Sequence, residues 1–221
     1  MDTIVIVLVI LIVILILYMI YYNTKVAQVL INLNVGNSPI VNSSIPNPPS
    51  ARFSYITWIY VNSWSNNQKV VCYSSVGGST PSNTPLFKLY LDTTTPTMKC
   101  DFKTSDSTNT VTISNNFPLQ RWVYVIVSVD GQVVDCYLDG KLVKSQQLTS
   151  LPDVSGKYDI NYGRFDAFLT MFSRPATATD PQTAWSGYLN GNGFSANATG
   201  PTYGFNVAVT KDQKPIAEYS Y

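Results

Sequence analysis

Few side chains in this sequence are of the types that carry out catalysis. The chain contains no histidine, and its single glutamate, Glu218, lies close to the C-terminus. Without histidine, the Ser-His-Asp and Cys-His nucleophile systems and imidazole metal sites are excluded. Acid-base chemistry would have to rest on aspartate or tyrosine. We therefore expect a protein that is not an enzyme, with no catalytic residues, no metal site and no cofactor.

The cysteines Cys72, Cys100 and Cys136 are the remaining candidates for reactive groups. Their odd number and the absence of a CxxC pair argue against a disulfide framework and against a zinc site. All three lie inside apolar or alternating segments, which predicts buried free thiols that act as small hydrophobic side chains. A Cys72–Cys100 bridge is the alternative if the domain faces an oxidising compartment.

The charge balance excludes further classes of partner. The chain has 14 Lys and Arg residues against 13 Asp and Glu, a net charge of +1, and its cations are scattered. Neither nucleic acid nor an anionic lipid surface is expected to bind such a chain through a basic patch. Asn, Ser, Thr, Tyr and Val are abundant, and this composition favours strands and turns over helices.

The N-terminal segment predicts one transmembrane α-helix. Residues 3–22 contain no charge, no Gly and no Pro, and a helix of this length spans roughly 30 Å, the thickness of the hydrocarbon core of a bilayer. Tyr18, Tyr21 and Tyr22 gather at its C-terminal end, where tyrosine rings favour the membrane interface. The apolar segment is too long for a signal peptide and lacks a good cleavage site. We expect residues 1–24 to be an uncleaved, single-pass anchor that contacts the lipid bilayer.

The flanking charges indicate an orientation. Asp2 precedes the segment, whereas Lys25 and Arg52 follow it, which favours a C-terminal domain on the cytoplasmic side. Asn42 and Asn197 begin glycosylation sequons, and these would matter only if the domain were luminal.

A Pro-, Asn- and Ser-rich juxtamembrane linker is predicted over residues 25–52. Within it, residues 29–35 alternate apolar and polar side chains and form either a first strand or a continuation of the membrane helix. A last β segment lies in the C-terminal extension, residues 190–221, and pairing of residues 29–35 with residues 205–210 is one arrangement open to it.

Residues 53–189 read as short β segments separated by turn signals. Asp130-Gly131 and Asp139-Gly140 each stand between two apolar segments, and such pairs predict hairpin turns with positive φ at both positions. A short helix is predicted over residues 179–188, with Thr179 or Asp180 as N-cap, Pro181 at the first position and Gly187 at the end. The pattern predicts an all-β antiparallel sandwich behind the anchor.

Three segments carry a resemblance to a known family. FSYITWIYV (residues 53–61), the Trp-to-Asp-Gly stretch of residues 122–143, and the late strand of residues 163–175 resemble laminin-G-like, concanavalin A-type jelly rolls. The resemblance implies a jelly-roll sandwich over residues 53–189. It is informative for the fold and uninformative for the function.

The resemblance also raises two chemistries. Glycosidase members use a Glu-x-Asp-x-Glu strand, which this chain lacks, so their two-carboxylate hydrolysis is not carried over. Other members bind sugars or calcium through loop Asp and Asn residues. The corresponding candidates in this chain are scattered and lack DxDxD spacing, so the simpler interpretation is that they are solvated loop carboxylates. These candidates are Asp92, Asp101, Asp106 and Asp153.

The short anchor, the Asn- and Thr-rich composition and the scarcity of Glu and His also resemble proteins of large icosahedral double-stranded DNA viruses. Such a resemblance implies a minor capsid protein, a non-enzymatic structural protein at the virion inner membrane that tethers a capsid or scaffold protein layer. Four aromatic residues in loop or tail contexts would make anchoring contacts; they are Trp64, Trp185, Tyr219 and Tyr221. The alternative function is a membrane-displayed, lectin-like module that binds a glycan.

Overall fold

Two antiparallel sheets packed face to face form the domain, and a separate hairpin follows it. The computed structural model describes residues 11–16, 30–67, 69–76, 85–193, 206–211 and 214–220. The six-stranded sheet has the order β1 (Ile31–Asn32), β11 (Ala167–Ser173), β2 (Arg52–Val61), β7 (Trp122–Asp130), β8 (Val133–Leu138) and β9 (Lys141–Gln147). The five-stranded sheet has the order β10 (Tyr158–Tyr162), β3 (Lys69–Val76), β4 (Phe87–Leu91), β5 (Met98–Lys103) and β6 (Thr108–Ser114). The hairpin pairs β12 (Asn206–Lys211) with β13 (Lys214–Ser220).

The core lies between the two sheets because alternate side chains of each strand point inward. β5 is typical: Met98, Cys100 and Phe102 are buried, and the residues between them are half-buried. The two sheets meet directly where the rings of Tyr55 and Phe87 stack with centroids 4.0 Å apart. Burying a large apolar side chain contributes about 1.5–3 kcal/mol, so this interface is the main source of stability. The all-β antiparallel sandwich predicted from the sequence is confirmed.

The two predicted hairpin turns differ in detail. Asp139 and Gly140 both have positive φ (48° and 76°) and connect paired residues of β8 and β9, as predicted. In the other hairpin, Asp130 pairs with Val133 and so still belongs to the ladder. The turn therefore consists of Gly131, with φ 63°, and the residue after it. The prediction of Asp130 as a turn residue is wrong by one position.

The predicted short helix spans Pro181–Leu189. Asp180 is its N-cap, and its carboxylate accepts hydrogen bonds from the backbone N–H groups of Gln182 (2.9 Å) and Thr183 (3.0 Å). The prediction that Gly187 ends the helix is wrong, since the helix continues past it. Gly187 lies against the Tyr124 hydroxyl, where a Cβ would overlap the oxygen. Close packing, rather than termination, explains the glycine.

The N-terminal segment of the described domain contributes to the sandwich. Only Ile31 and Asn32 form a strand, and they pair with β11 rather than with residues 205–210. That suggested pairing is therefore wrong, because β12 takes β13 as its partner. Leu33 and Ile45 are buried in the core, so the part of the predicted linker that the structure describes packs on the domain. Residues 25–29 lie outside the described residues.

Most of the predicted membrane anchor also lies outside the described residues. Residues 11–16 are helical and exposed, and the remainder of residues 3–22 is not described. Among the helices that the structure does describe, none has both the length and the hydropathy to cross a bilayer. The anchor, the orientation and the domain boundaries remain predictions.

Candidate recognition face

The outer surface of the five-stranded sheet is polar, and we call it the polar face. Since the inward positions of its strands fill the core, alternation places the residues between them outward. Its central row crosses all five strands in one register, because each member pairs with the next. The row consists of Asn161, Tyr73, Lys88, Asp101 and Thr110.

Asp101 is the centre of the hydrogen-bond network on this face. Its carboxylate accepts from the Thr110 hydroxyl at 2.7 Å and the Tyr90 hydroxyl at 3.2 Å. It also pairs with the Lys88 ammonium at 3.2 Å, although its side chain is only 13% exposed. Burial, and then the nearby Asp101 charge, raise the pKa of Tyr90, so its hydroxyl keeps the proton that it donates.

A second ion pair lies beside the first. The Lys99 ammonium is 2.6 Å from the Asp92 carboxylate. This hydrogen bond is the main reason why the pKa of Asp92 is lowered. The Lys88 ammonium stands 4.3 Å from the centre of the Tyr90 ring, a cation–π contact. The face therefore combines aromatic rings, hydroxyl groups and paired charges of both signs.

The four candidate aspartates do not form one site. Asp92 and Asp101 are both held by lysines of the polar face, and Asp153 pairs with Lys103 at 3.2 Å. Asp106 is exposed in the connection between β5 and β6. Within the described ranges, no three His, Cys, Asp or Glu side chains are grouped so that they could hold a metal ion.

The lysines of this face were not among the residues predicted from the sequence to form a site. Lys88, Lys99 and Lys103 alternate with apolar residues in LFKLYLD and MKCDFK, and each pairs with an aspartate. The alternation of opposite charges along neighbouring strands was the available signal, since facing residues of opposite charge stabilise adjacent strands.

The opposite outer surface, on the six-stranded sheet, is largely closed. The Pro181–Leu189 helix packs over an aromatic cluster that includes Trp58 and Tyr124, whose ring centroids are 5.0 Å apart. Tyr188 of the helix stacks on Trp58 at 5.7 Å. This helix therefore covers the middle of that sheet.

The four predicted anchoring aromatics have different surroundings. Trp64 packs against the core, and the ammonium of the buried Lys69 stands 3.6 Å from the centre of its ring, so Trp64 makes an internal contact. Trp185 is 42% exposed on the helix. Tyr219 belongs to β13, where side chains are not described, and Tyr221 lies outside the described residues.

The cysteines are free and buried, which confirms that prediction. Cys72 pairs with Leu89, which in turn pairs with Cys100, so the two cysteines lie two strands apart. Two strand spacings are about 9–10 Å, whereas disulfides need Cα atoms about 4.4–6.8 Å apart. The alternative Cys72–Cys100 bridge is therefore wrong. Burial raises the pKa of both thiols.

The sequon at Asn42 is engaged in the fold. Its side-chain amide donates a hydrogen bond to the Tyr158 carbonyl at 3.3 Å, and its backbone N–H donates to the Asp159 carboxylate at 2.9 Å. Asn197 lies outside the described residues.

Residues 35–173 match the sequence profile Laminin_G_3, described as the concanavalin A-like lectin/glucanases superfamily. The chain belongs to this superfamily. The resemblance to concanavalin A-type jelly rolls is thereby confirmed. No curated protein sequence matches the chain.

Solved structures agree with this superfamily fold. A Trypanosoma rangeli sialidase in complex with sialic acid is 13% identical with a TM-score of 0.53, and the match covers 74% of this chain and 27% of the sialidase. The receptor-binding domain of botulinum neurotoxin C/D mosaic serotype is 15% identical with a TM-score of 0.52, covering 74% of this chain and 40% of that one. The chain thus spans less than half of either protein, and at such identities the likeness concerns the fold alone.

Proposed function

We propose that this superfamily member is a non-enzymatic recognition protein whose polar face binds a carbohydrate, and that residues 3–22 hold it at a membrane. The observation that carries the proposal is the central row of the polar face. Tyr73, Lys88, Asp101 and Thr110 place a phenol, an ammonium, a carboxylate and a hydroxyl in one register. Asn161 continues the row but is buried, and its amide donates to the Ser75 hydroxyl at 3.1 Å.

This set of groups suits a ligand rich in hydroxyls. Hydroxyl groups both donate and accept hydrogen bonds, the carboxylate accepts them and the ammonium donates them, so together they match sugar hydroxyls, which do both. Bonds to charged groups are about twice as strong as neutral ones. Lys88 and Asp101 neutralise each other, so the face favours a polar ligand over a strongly charged one. Tyr73 is half-buried and offers a ring against which the apolar side of a sugar can pack.

The same geometry supports a function without hydrolysis. A glycosidase needs one carboxyl group that stays protonated near neutral pH as the general acid. The two carboxylates of the polar face are each paired with a lysine, and the pKa of Asp92 is lowered rather than raised. The lowered pKa keeps Asp92 in its charged form, and each carboxylate of the face has a cationic partner, which suits binding.

The test is a glycan array probed with the full chain in a non-ionic detergent. Binding to one glycan class is expected, and Asp101→Asn should weaken it about tenfold, since a hydrogen bond to a charged group contributes about 1.5–3 kcal/mol. Asp106→Asn removes the same charge from an exposed loop and is the matched control. Thermal melts check that both variants fold. The absence of binding to any glycan, or equal effects of the two substitutions, would contradict the proposal.

A second candidate function is the tether between a membrane and a protein layer, such as a viral capsid. Large apolar side chains on the other sheet and its helix favour it, since Val133, Leu142 and Trp185 are 42%, 50% and 42% exposed. Cross-linking of the full-length protein in its native membrane is the test. Links from Lys141 or Lys144 to one abundant coat protein are expected, whereas a monomer without protein neighbours would refute the tether.

A further inference from the structure

A groove of about 350 Å³ lies on the outer surface of the six-stranded sheet, beyond the N-terminal end of the helix. Outward side chains of β7, β8 and β9 form its floor, and the segment that leads into the helix forms one wall. We call it the acidic groove. The residues that define its character are Asp130, Val133, Asp135, Tyr137, Leu142 and Asp180.

Two side chains of the groove floor are apolar and accessible. Val133 is 42% exposed and Leu142 is 50% exposed. Tyr137 is buried in the cluster that includes Ala184 of the helix, and its hydroxyl donates to the Thr179 carbonyl at 3.3 Å. The helix therefore leaves part of this face uncovered, and that part can still lose apolar surface to a ligand.

The lining of the groove carries three carboxylates against one guanidinium. Arg52 is committed to Asp130 through two contacts, Nε to Oδ1 at 2.8 Å and Nη2 to Oδ2 at 2.9 Å. Asp180 is committed to the helix N-terminus as its cap. Asp135 is half-buried, and no lysine or arginine of the described ranges forms an ion pair with it. Among the described residues, the groove thus has one carboxylate without an ion-pair partner, and it lies beside two exposed apolar side chains.

We propose that the acidic groove binds a lysine or arginine side chain presented by a protein partner. Such side chains lay an aliphatic stem along apolar surface and keep a cationic head in reach of carboxylates. The stem would lie on Val133 and Leu142, and the head would pair with Asp135. The excess of negative charge disfavours phosphate, sialic acid and other anionic ligands.

A partner strand is not expected to pair with β9, the edge strand next to the acidic groove. β9 is one of the two edge strands of the sheet. Its Lys144 pairs with the inward-facing Cys136 and its Gln146 with the inward-facing Val134, so both polar residues lie on the inward side. Inward polar residues of this kind, together with the register shift between β8 and β9, discourage edge-to-edge pairing. A side chain inserted into the groove is the contact that the surface favours.

This inference gives the tether candidate a contact surface and a partner chemistry. It does not depend on carbohydrate binding, because the acidic groove and the polar face lie on opposite sheets. Asp101→Asn acts only on the polar face, so failure of one proposal is distinguishable from failure of the other.

Fluorescence anisotropy of the full chain in neutral detergent tests the groove at low salt. The probe is a short capped, labelled peptide that alternates valine and lysine, with glutamate-for-lysine and serine-for-lysine versions as controls. The lysine peptide should bind, and Asp135→Asn should weaken it about fivefold, the scale of one accessible ion pair. Leu142→Ser should weaken it by removing the floor, whereas Asp106→Asn and Asp101→Asn should have no effect.

Three outcomes would overturn the proposal. They are equal binding of the lysine and glutamate peptides, equal effects of Asp135→Asn and Asp106→Asn, and no binding of the lysine peptide. Both Asp135 and Leu142 reach solvent, so their substitutions should leave the melting temperature nearly unchanged. When the melting temperatures of variant and wild type agree, a loss of peptide binding is caused by the change in the groove and not by unfolding.

Discussion

The substitution Gly187→Ala tests whether the helix is seated on the six-stranded sheet. Two effects oppose each other. In a helix interior, alanine is favoured over glycine by about 1 kcal/mol. At this position, however, the added Cβ would overlap the Tyr124 hydroxyl oxygen and lie 3.1 Å from its Cζ and 3.2 Å from its Cε1. Overpacking of this kind costs about 1–3 kcal/mol.

The surroundings of Tyr124 decide which effect wins. Its side chain is in the buried cluster at 6% exposure, and its ring packs against Trp58 at 5.0 Å. The ring cannot turn away without displacing Trp58, so the cost lies at the upper end of that range. We expect a net loss of about 1–2 kcal/mol, which lowers the melting temperature by about 3–6 °C for a chain of this size.

Thermal denaturation of the full chain in detergent, followed by circular dichroism, provides the measurement. Gly36→Ala is the matched control, because a Cβ there meets nothing within 4 Å. In a Tyr124→Phe background the overlap with the oxygen disappears, and the loss caused by Gly187→Ala should shrink towards zero. If Gly187→Ala instead raised the melting temperature in the wild-type chain, the helix would not be seated on Tyr124, and this face of the sheet would not be covered as described.

Three further predictions concern stability and reactivity. Gly163→Ala should destabilise the domain by more than Gly187→Ala, since the added Cβ would overlap the backbone carbonyl of Val70, which cannot move aside. Urea denaturation measures the difference in stability, and an unchanged midpoint for Gly163→Ala would contradict this prediction. Hydrogen bonds lower the pKa of Asp92 and Asp180 in the folded chain. These two carboxylates therefore stabilise the fold above the ordinary aspartate pKa of about 3.9, and this stabilisation is lost as the pH falls below that value. Urea midpoints should decrease from pH 7 to pH 4 to pH 3, and a constant midpoint would refute this linkage. The three thiols should resist iodoacetamide in the folded chain, because burial makes them inaccessible to the reagent. All three should react in urea, and rapid labelling of the folded chain would contradict their burial.

Local patterns in the sequence were sufficient to predict most strands, one hairpin turn and the start of the helix. Alternation with a period of two identified the strands, the Asp139-Gly140 pair identified a turn, and Asp180 before Pro181 identified the start of the helix. Each of these depends on the conformational preferences of a few neighbouring residues, and such preferences can be read without knowing the fold. The apolar residues that flank the three cysteines in the sequence likewise predicted their burial.

Long-range pairing was beyond those patterns. Residues 29–35 alternate like a strand, but the choice of β11 as partner, and the short length of the pairing, depend on where the sandwich leaves an edge free. Gly187 looked like a helix end because glycine usually marks one. Only the position of Tyr124 on a strand far away in the chain shows that its small size is needed for packing.

For the candidate sites, too, some features follow from the sequence and others only from the tertiary structure. The sequence by itself determined that histidine chemistry is excluded, that the aspartates are scattered and that the domain is all-β. Only the tertiary structure decided that Lys88 faces Asp101, and that Asp135 lies in a groove beside Leu142. The physical reason is that strand register is set by how the two apolar faces fit together in the core, and that register then carries the outward side chains into rows which no local preference specifies.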